Sequence, residues 1–216
     1  MKRIRVDIWS DCVCPYCYAG KRHLEMALLS FPFRESVEVI WHSYQLNPQL
    51  TKDNQIKYYD FLSQSFGISP EDTRKRAAGI VSKAASVGLE YNLEKAVQFN
   101  TFEAHRVIQK AKERGLGGEA EEAIFKAFFI DGVNLNNIEE IIRCGVSAGL
   151  TPEDCREALT SERYYNLIWE DFREAESRSI DLVPTFFFSG GIKIEACPDV
   201  ETFLDALNNS YELTEG

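Results

Sequence analysis

The sequence predicts a mixed α/β fold: a β-α-β unit, a long helical insertion, and a closing β-β-α unit. Three observations predict it. An apolar run at residues 4–9 is followed by helix-period residues at 15–30 and an alternating stretch at 37–46, which reads as strand, helix, strand. Residues 51–180 then carry apolar positions at helical spacing almost throughout. After them, two short β-rich stretches flank Ser189-Gly190-Gly191, a turn signal. Residues 1–50 and 181–216 are expected to form one sheet-containing domain with 51–180 packed on it, because no repeat, low-complexity tract or linker separates them.

Each element has its own signal. Ile4, Val6, Ile8 and Trp9 mark a buried first strand. The helix at 15–30 places Gly20, Leu24, Ala27 and Leu28 on one face, with Gly20 allowing close approach to the sheet and Phe31-Pro32 ending it. Val37, Val39, Trp41, Ser43 and Gln45 then alternate with Glu38, Ile40, His42, Tyr44 and Leu46, and Asn47-Pro48 stops that strand. The crossover between these strands should be right-handed. In the insertion, Tyr58, Phe61, Leu62 and Ser65 mark one helix face. Ser69-Pro70-Glu71-Asp72 is an N-cap signal for the next, striped by Ala77, Ile80, Val81 and Ala84. Asn100-Thr101 opens another, with Ala104, Val107, Ile108 and Ala111 inward. Glu119 to Ile130 is apolar around most of its circumference and is expected deep in the helical layer. Ile138, Ile141 and Ile142, then the cap Thr151-Pro152-Glu153-Asp154, then Tyr165, Ile168, Trp169, Phe172 and Ala175 mark the last three helices. A strand runs from Val183-Pro184 to Phe188, with proline tolerated at its start, and Ile192 to Glu195 returns. Cys197-Pro198 is expected to open a final helix with Val200, Phe203, Leu204 and Leu207 on one face.

The chemistry concentrates at Cys14-Pro15-Tyr16-Cys17. Its place between a strand and a helix makes Cys14 the N-cap and Pro15 the first helical residue, where a missing N–H is no loss. Cys17 follows one turn later. The positive end of the helix dipole and the unpaired N–H groups favour a thiolate at Cys14. A thiolate that attacks a disulfide, beside a second thiol that resolves the mixed disulfide, is a complete exchange device.

Composition excludes other classes. The chain has 216 residues, 44% hydrophobic and 27% charged, enough for a sizeable core. Its net charge of −10 argues against nucleic acid as a partner. Residues 1–50 carry six Lys/Arg against five Asp/Glu, so the candidate site lies in a near-neutral region and the acidity elsewhere. No run approaches the roughly 18 apolar residues of a membrane span, so no membrane partner is expected. Met1-Lys2-Arg3-Ile4-Arg5 shows no h-region or cleavage site, and a cytoplasmic location is the expectation. In that compartment the six cysteines are not a structural disulfide framework, and CxxC reads as redox or metal chemistry.

Ser10-Asp11-Cys12-Val13-Cys14-Pro15-Tyr16-Cys17-Tyr18-Ala19-Gly20-Lys21, Leu46-Asn47-Pro48, Asn100-Thr101 with Ala104-His105-Arg106, and Val183-Pro184-Thr185-Phe186 together resemble the DsbA-like superfamily of thioredoxin-fold proteins, in its cytoplasmic FrnE-like branch. The resemblance covers nearly the whole chain, and the insertion between the second and third strands is that superfamily's layout. It implies a thioredoxin fold and a dithiol–disulfide oxidoreductase or isomerase. Cys14 would be the nucleophile and Cys17 the resolving thiol. Pro184 would be a cis-proline facing them, and Val183 would offer its backbone to a substrate chain as an added strand. Pro15 and Tyr16 would border the substrate, and His105 and Arg106 lie on a segment that approaches the site in the superfamily. No bound cofactor is implied; glutathione is a candidate co-substrate, and the partners are protein or small-molecule thiols and disulfides. Two departures stand out. Pro-Tyr replaces the Pro-His of strongly oxidising members, and with Asp11 nearby this predicts a more reducing couple. Cys197 stands where a glutamine is expected.

Two rival readings remain at this stage. A glutathione-dependent isomerase of the 2-hydroxychromene-2-carboxylate type shares the fold but typically has serine at the Cys14 position. A zinc-binding or redox-sensing module would draw ligands from Cys12, Cys14, Cys17 and His23, although no second ligand pair exists and no metal site is expected. Cys197, placed near the site's rim by the length of the hairpin, and Cys12 are candidate auxiliary thiols. Cys155 and Cys144 read as small buried hydrophobes. His105 is expected on the flank of its helix and Arg106 opposite the apolar stripe. His42 and His23 read as structural or solvent-facing.

Overall fold

The computed structural model describes residues 3–214; the chain's first two and last two residues, which belong to the expected segments 1–50 and 181–216, lie outside them. β1 (Ile4–Ser10), α1 (Pro15–Ser30) and β2 (Val37–Ser43) form the opening unit. The insertion holds α2 (Tyr58–Phe66), α3 (Pro70–Ala85), α4 (Phe102–Glu113), α5 (Gly117–Lys126), α6 (Ile138–Ser147), α7 (Pro152–Thr160) and α8 (Glu162–Ser177). β3 (Thr185–Phe188), β4 (Ile192–Glu195) and α9 (Val200–Leu213) close the chain. This is the thioredoxin fold with its helical insertion between β2 and β3.

The strand order is β2-β1-β3-β4. β1 is central, parallel to β2 (Ile8 opposite Trp41) and antiparallel to β3 (Ile8 opposite Phe186). A central strand covered on both faces should be apolar on both, and β1 is buried at every residue except Arg5. Ile4, Val6 and Ile8 pack with Leu24 and Ala27 of α1 and with Phe203 and Leu207 of α9. Trp9 instead joins the larger core that runs through the insertion and includes Cys14, Cys17 and Tyr18.

Four boundaries differ from the sequence expectation, each for a local reason. β2 stops at Ser43, because Tyr44 N–H donates to Ser10 O (3.0 Å) and Leu46 N–H to Asp11 Oδ2 (2.7 Å), which folds the chain over the loop after β1. Residues 86–101 are irregular, yet bury Leu89, Tyr91, Leu93, Ala96 and Phe99. The helix expected to Ile130 is α5 followed by one π-helical turn, Ala127–Asp131, ended by Gly132 at φ +67°. Cys197 does not cap the last helix: Asp199 does, its Oδ1 accepting the N–H of Thr202 at 2.9 Å.

Candidate active site

α1 begins where its sequence asks it to. Cys14 is the N-cap and Pro15 takes the first position. Cys14 N–H donates to Asp11 O (2.9 Å) and Cys17 N–H to Cys14 O (3.1 Å), closing a tight entry turn. Cys14 is 4% exposed and Cys17 1%, whereas Tyr16 between them is 40% exposed. The Cys14 thiol lies 3.5 Å from the carbonyl oxygen of Val183. The Val183–Pro184 peptide is cis, and Pro184 O accepts the N–H of Ala196 at 2.9 Å. Six residues singled out in the sequence, Cys14, Pro15, Tyr16, Cys17, Val183 and Pro184, therefore meet at one place although 169 positions separate Cys14 from Val183. Gly20 permits the approach, since a Cβ there would sit 3.2 Å from Phe186 Cζ and 3.3 Å from Pro184 Cγ.

The insertion walls this turn. The Tyr91 hydroxyl donates to Pro15 O at 2.7 Å. Tyr18 stacks on Phe125 (4.9 Å between centroids) and Tyr91 on Phe129 (4.6 Å). Burial pushes the Tyr58 and Tyr91 phenols upward, so both stay neutral.

Beneath the turn lies a group of buried polar side chains. Asp11 and His105 have no solvent exposure and Glu121 has 1%. His105 Nε2–H donates to Tyr44 O (2.9 Å) and lies 3.4 Å from Asp11 Oδ1. Asp11 Oδ1, His105 Nδ1, Glu121 Oε2 and Ser10 Oγ have no hydrogen-bond partner among the described residues. Burial pushes the Glu121 carboxyl up to about 7, against the pull of His105 and Lys21. Burial opposes the charge on His105, but Asp11 and then Glu121 outweigh it and the net shift is upward. Burial, followed by the neighbouring Cys14, holds the Cys17 thiol well above its ordinary value. Glu121 was missed in the sequence. Its signal was there: Glu121, Ile124, Phe125 and Phe128 share one helix face, so a carboxylate sits on an apolar stripe.

Other expectations need correction. His105 is not on a flank facing substrate but fully buried, because α4 is packed by α5, α6, α7 and α8. Arg106 is likewise 9% exposed, donating from Nε to Ala158 O (2.8 Å) and from a terminal nitrogen to Ser161 O (2.9 Å); it ties off the end of α7. Cys12 is fully buried, its thiol pushed well up by burial and by Glu121. Cys197 is partly exposed and lies 3.6 Å from His23 Nδ1, with burial pushing its thiol up to about 11. His23 turns to the carbonyl of Pro198. Cys12, Cys14, Cys17 and His23 thus do not converge as a metal set. The metal-ligating types that do come within 4.8 Å of one another among the described residues are Asp11, Cys12 and His105, and two of these already spend an atom on backbone partners. His42 is structural: its ring donates to Asp171 Oδ1 and Asp7 Oδ1, both at 2.7 Å. Cys144 and Cys155 are buried.

Comparison with known proteins adds the family context. The model of the DSBA-like thioredoxin domain matches residues 5–208. The structure of a probable DsbA oxidoreductase, SCO1869 from Streptomyces coelicolor, superposes with a TM-score of 0.92 at 31% identity, covering 99% of this chain and 92% of that one. The uncharacterized protein YwbO of Bacillus subtilis (strain 168) is 26% identical over 215 residues, 97% of this chain and 98% of its own. The cytosolic disulfide reductase DsbM from Pseudomonas aeruginosa, solved with GSH, shares the fold at a TM-score of 0.60 and 17% identity, covering 96% of each chain.

Proposed function

This chain belongs to the family of DSBA-like thioredoxin domains, and from that premise we propose that it is a thiol–disulfide oxidoreductase or isomerase working through Cys14 and Cys17. One observation carries the proposal: the Cys14 thiol, at the N-cap of α1, lies 3.5 Å from the Val183 carbonyl with Cys17 one turn behind it. Cys14, as thiolate, attacks one sulfur of a substrate disulfide. The S–S bond breaks, the departing sulfur takes a proton, and a mixed disulfide forms on Cys14. Cys17 then gives up its proton and attacks the Cys14 sulfur, releasing the second substrate thiol. The substrate gains two electrons and two protons, and the pair ends as a disulfide; the reverse sequence oxidises a dithiol. Cys17 is too buried to pass its proton directly to water, and the buried pair His105 and Glu121 beneath the turn is the proposed relay for it. The main chain at Val183, beside the attacking sulfur, aligns the substrate segment.

No bound cofactor enters, because the two sulfurs carry the electrons. Glutathione is the proposed regenerating thiol and the cytoplasm the proposed setting; the solved DsbM–GSH complex supports both by analogy of fold. No described helix is long and apolar enough to cross a membrane. The test combines two measurements. Equilibration with glutathione buffers, read by mass after alkylation, should give a Cys14–Cys17 potential of roughly −270 to −200 mV. Cys17→Ser should accumulate a stable mixed disulfide on Cys14 and lose turnover. Full activity of Cys17→Ser with glutathione would instead indicate an isomerase that needs no second thiol, and absence of the Cys14–Cys17 disulfide at every potential would end the exchange reading.

A further inference from the structure

The surface beside Val183 bears on which disulfides are exchanged. The helical spacing of α8 predicts Tyr165 and Trp169 on its inward face, yet they are 44% and 43% exposed. With Phe172 they run along seven residues of helix, about 10 Å, and Phe102 of α4 extends the row. Successive ring centroids are 5.2, 6.2 and 5.4 Å apart from Phe102 to Phe172. This ladder floors a groove of about 690 Å³. Tyr165 and Trp169 are exposed and Phe102 and Phe172 half-buried, and such a contiguous row of partly uncovered rings marks a contact surface. The charged side chains lining the groove are Glu176 and Asp181; no Lys or Arg lines it, and neither carboxylate has an ion pair among the described residues. Asp181 is two residues before Val183, about 7 Å of chain, and Val183 O is 3.5 Å from the Cys14 thiol. One continuous segment therefore serves both the groove and the attacking sulfur.

We propose that this groove holds the residues flanking the cysteine of a protein substrate. It selects extended segments that carry a large apolar side chain and a Lys or Arg within two to four residues of that cysteine. The rings take the apolar side chain, and Glu176 with Asp181 takes the cation. Glutathione, small and anionic, engages neither. The proposal rests on the exchange reading above and adds a substrate class to it.

The test separates binding from chemistry by using the double variant Cys14→Ser, Cys17→Ser. Trp9 and Trp41 are buried, so Trp169 is the tryptophan whose emission reports the groove. The probe is a short peptide with serine at the cysteine position flanked by Phe and Lys, compared with the same peptide carrying Glu for Lys. The Lys peptide should give a saturable blue shift, and the Glu peptide should bind about tenfold more weakly or worse. Tyr165→Ala and Phe172→Ala should each weaken binding by about tenfold, and Asp181→Asn with Glu176→Gln should erase the preference for Lys. No shift, or equal affinity for the two peptides, overturns the proposal. So does a dimer in sedimentation that Trp169→Glu dissociates, since a second copy would then fill the groove. Loss of the Cys14–Cys17 couple in the wild type would sink the exchange reading and the substrate class with it, whereas an intact couple with no peptide binding would sink the groove proposal alone.

Discussion

Glu121→Gln tests the buried polar group through stability before any kinetics are measured. Burial holds the Glu121 carboxyl near 7, against 4.5 in its unperturbed state. Between those pH values the unfolded chain has released this proton and the folded chain still binds it. Stability therefore falls as pH rises through the window. At 1.36 kcal/mol per pH unit, the span from 4.5 to about 7 is worth about 3 kcal/mol. Glutamine fills the same space and never ionises. Urea denaturation should find the variant close to wild type at pH 4.5 and more stable by up to about 3 kcal/mol at pH 8, a rise in Tm of roughly 6–12 °C for a chain of this size. In stopped-flow release of a labelled thiol from the Cys14 mixed disulfide, the same change should slow resolution by about 100-fold and remove an inflection near pH 7. Parallel pH–stability curves for the two proteins would refute the assignment of the buried charge. A resolution rate untouched by the substitution would refute its part in proton transfer.

Two further outcomes follow from the geometry. His42 donates to two carboxylates, and although burial disfavours its charge, Asp171 and then Asp7 raise its pKa overall. His42→Gln should cost about 3 kcal/mol, measured by urea unfolding at pH 6. That loss should shrink as pH climbs through the raised folded pKa, because a cation favoured in the folded state stabilises most below the unfolded value and least above the folded one; a pH-independent loss would contradict the ion-pair account. Cys197→Ser should leave the Cys14–Cys17 potential and the exchange rate within about twofold, since a thiol held near 11 has almost no thiolate at neutral pH. A lost disulfide species in the alkylation pattern would instead make Cys197 a working third thiol.

Much of this architecture was legible because it depends on local rules. The Cys14-Pro15 start of α1 follows from N-cap chemistry, and the β3–β4 hairpin from Ser189-Gly190-Gly191. What escaped depends on neighbours distant in sequence. Periodicity identifies the apolar stripe of α4 but does not reveal that four helices surround it. His105 and Arg106 are buried because Tyr44 O, Ala158 O and Ser161 O accept from them, and no spacing rule shows those carbonyls. The start of α9 moved because Asp199 is a better cap than a cysteine and Ala196, at φ +63°, ends the strand first. Tyr165 and Trp169 extend the apolar stripe of α8, and only the packing of that helix decides which part of a wide stripe stays uncovered.

The pairing of β1 with β3 also fixes when in the chain's own synthesis the thiols acquire their setting. Cys14 leaves the ribosome ahead of Val183, whose carbonyl lies 3.5 Å from its thiol and which follows 169 residues later. At about 5–20 residues per second, roughly 10–30 s pass between the two. Throughout that interval β1 lacks its central neighbour, and Cys14 and Cys17 belong to a nascent segment open to any passing oxidant. The segment from Val183 onward thus completes the surroundings of the two thiols, and a chain truncated before β3 would carry the Cys14-Pro15-Tyr16-Cys17 motif without them.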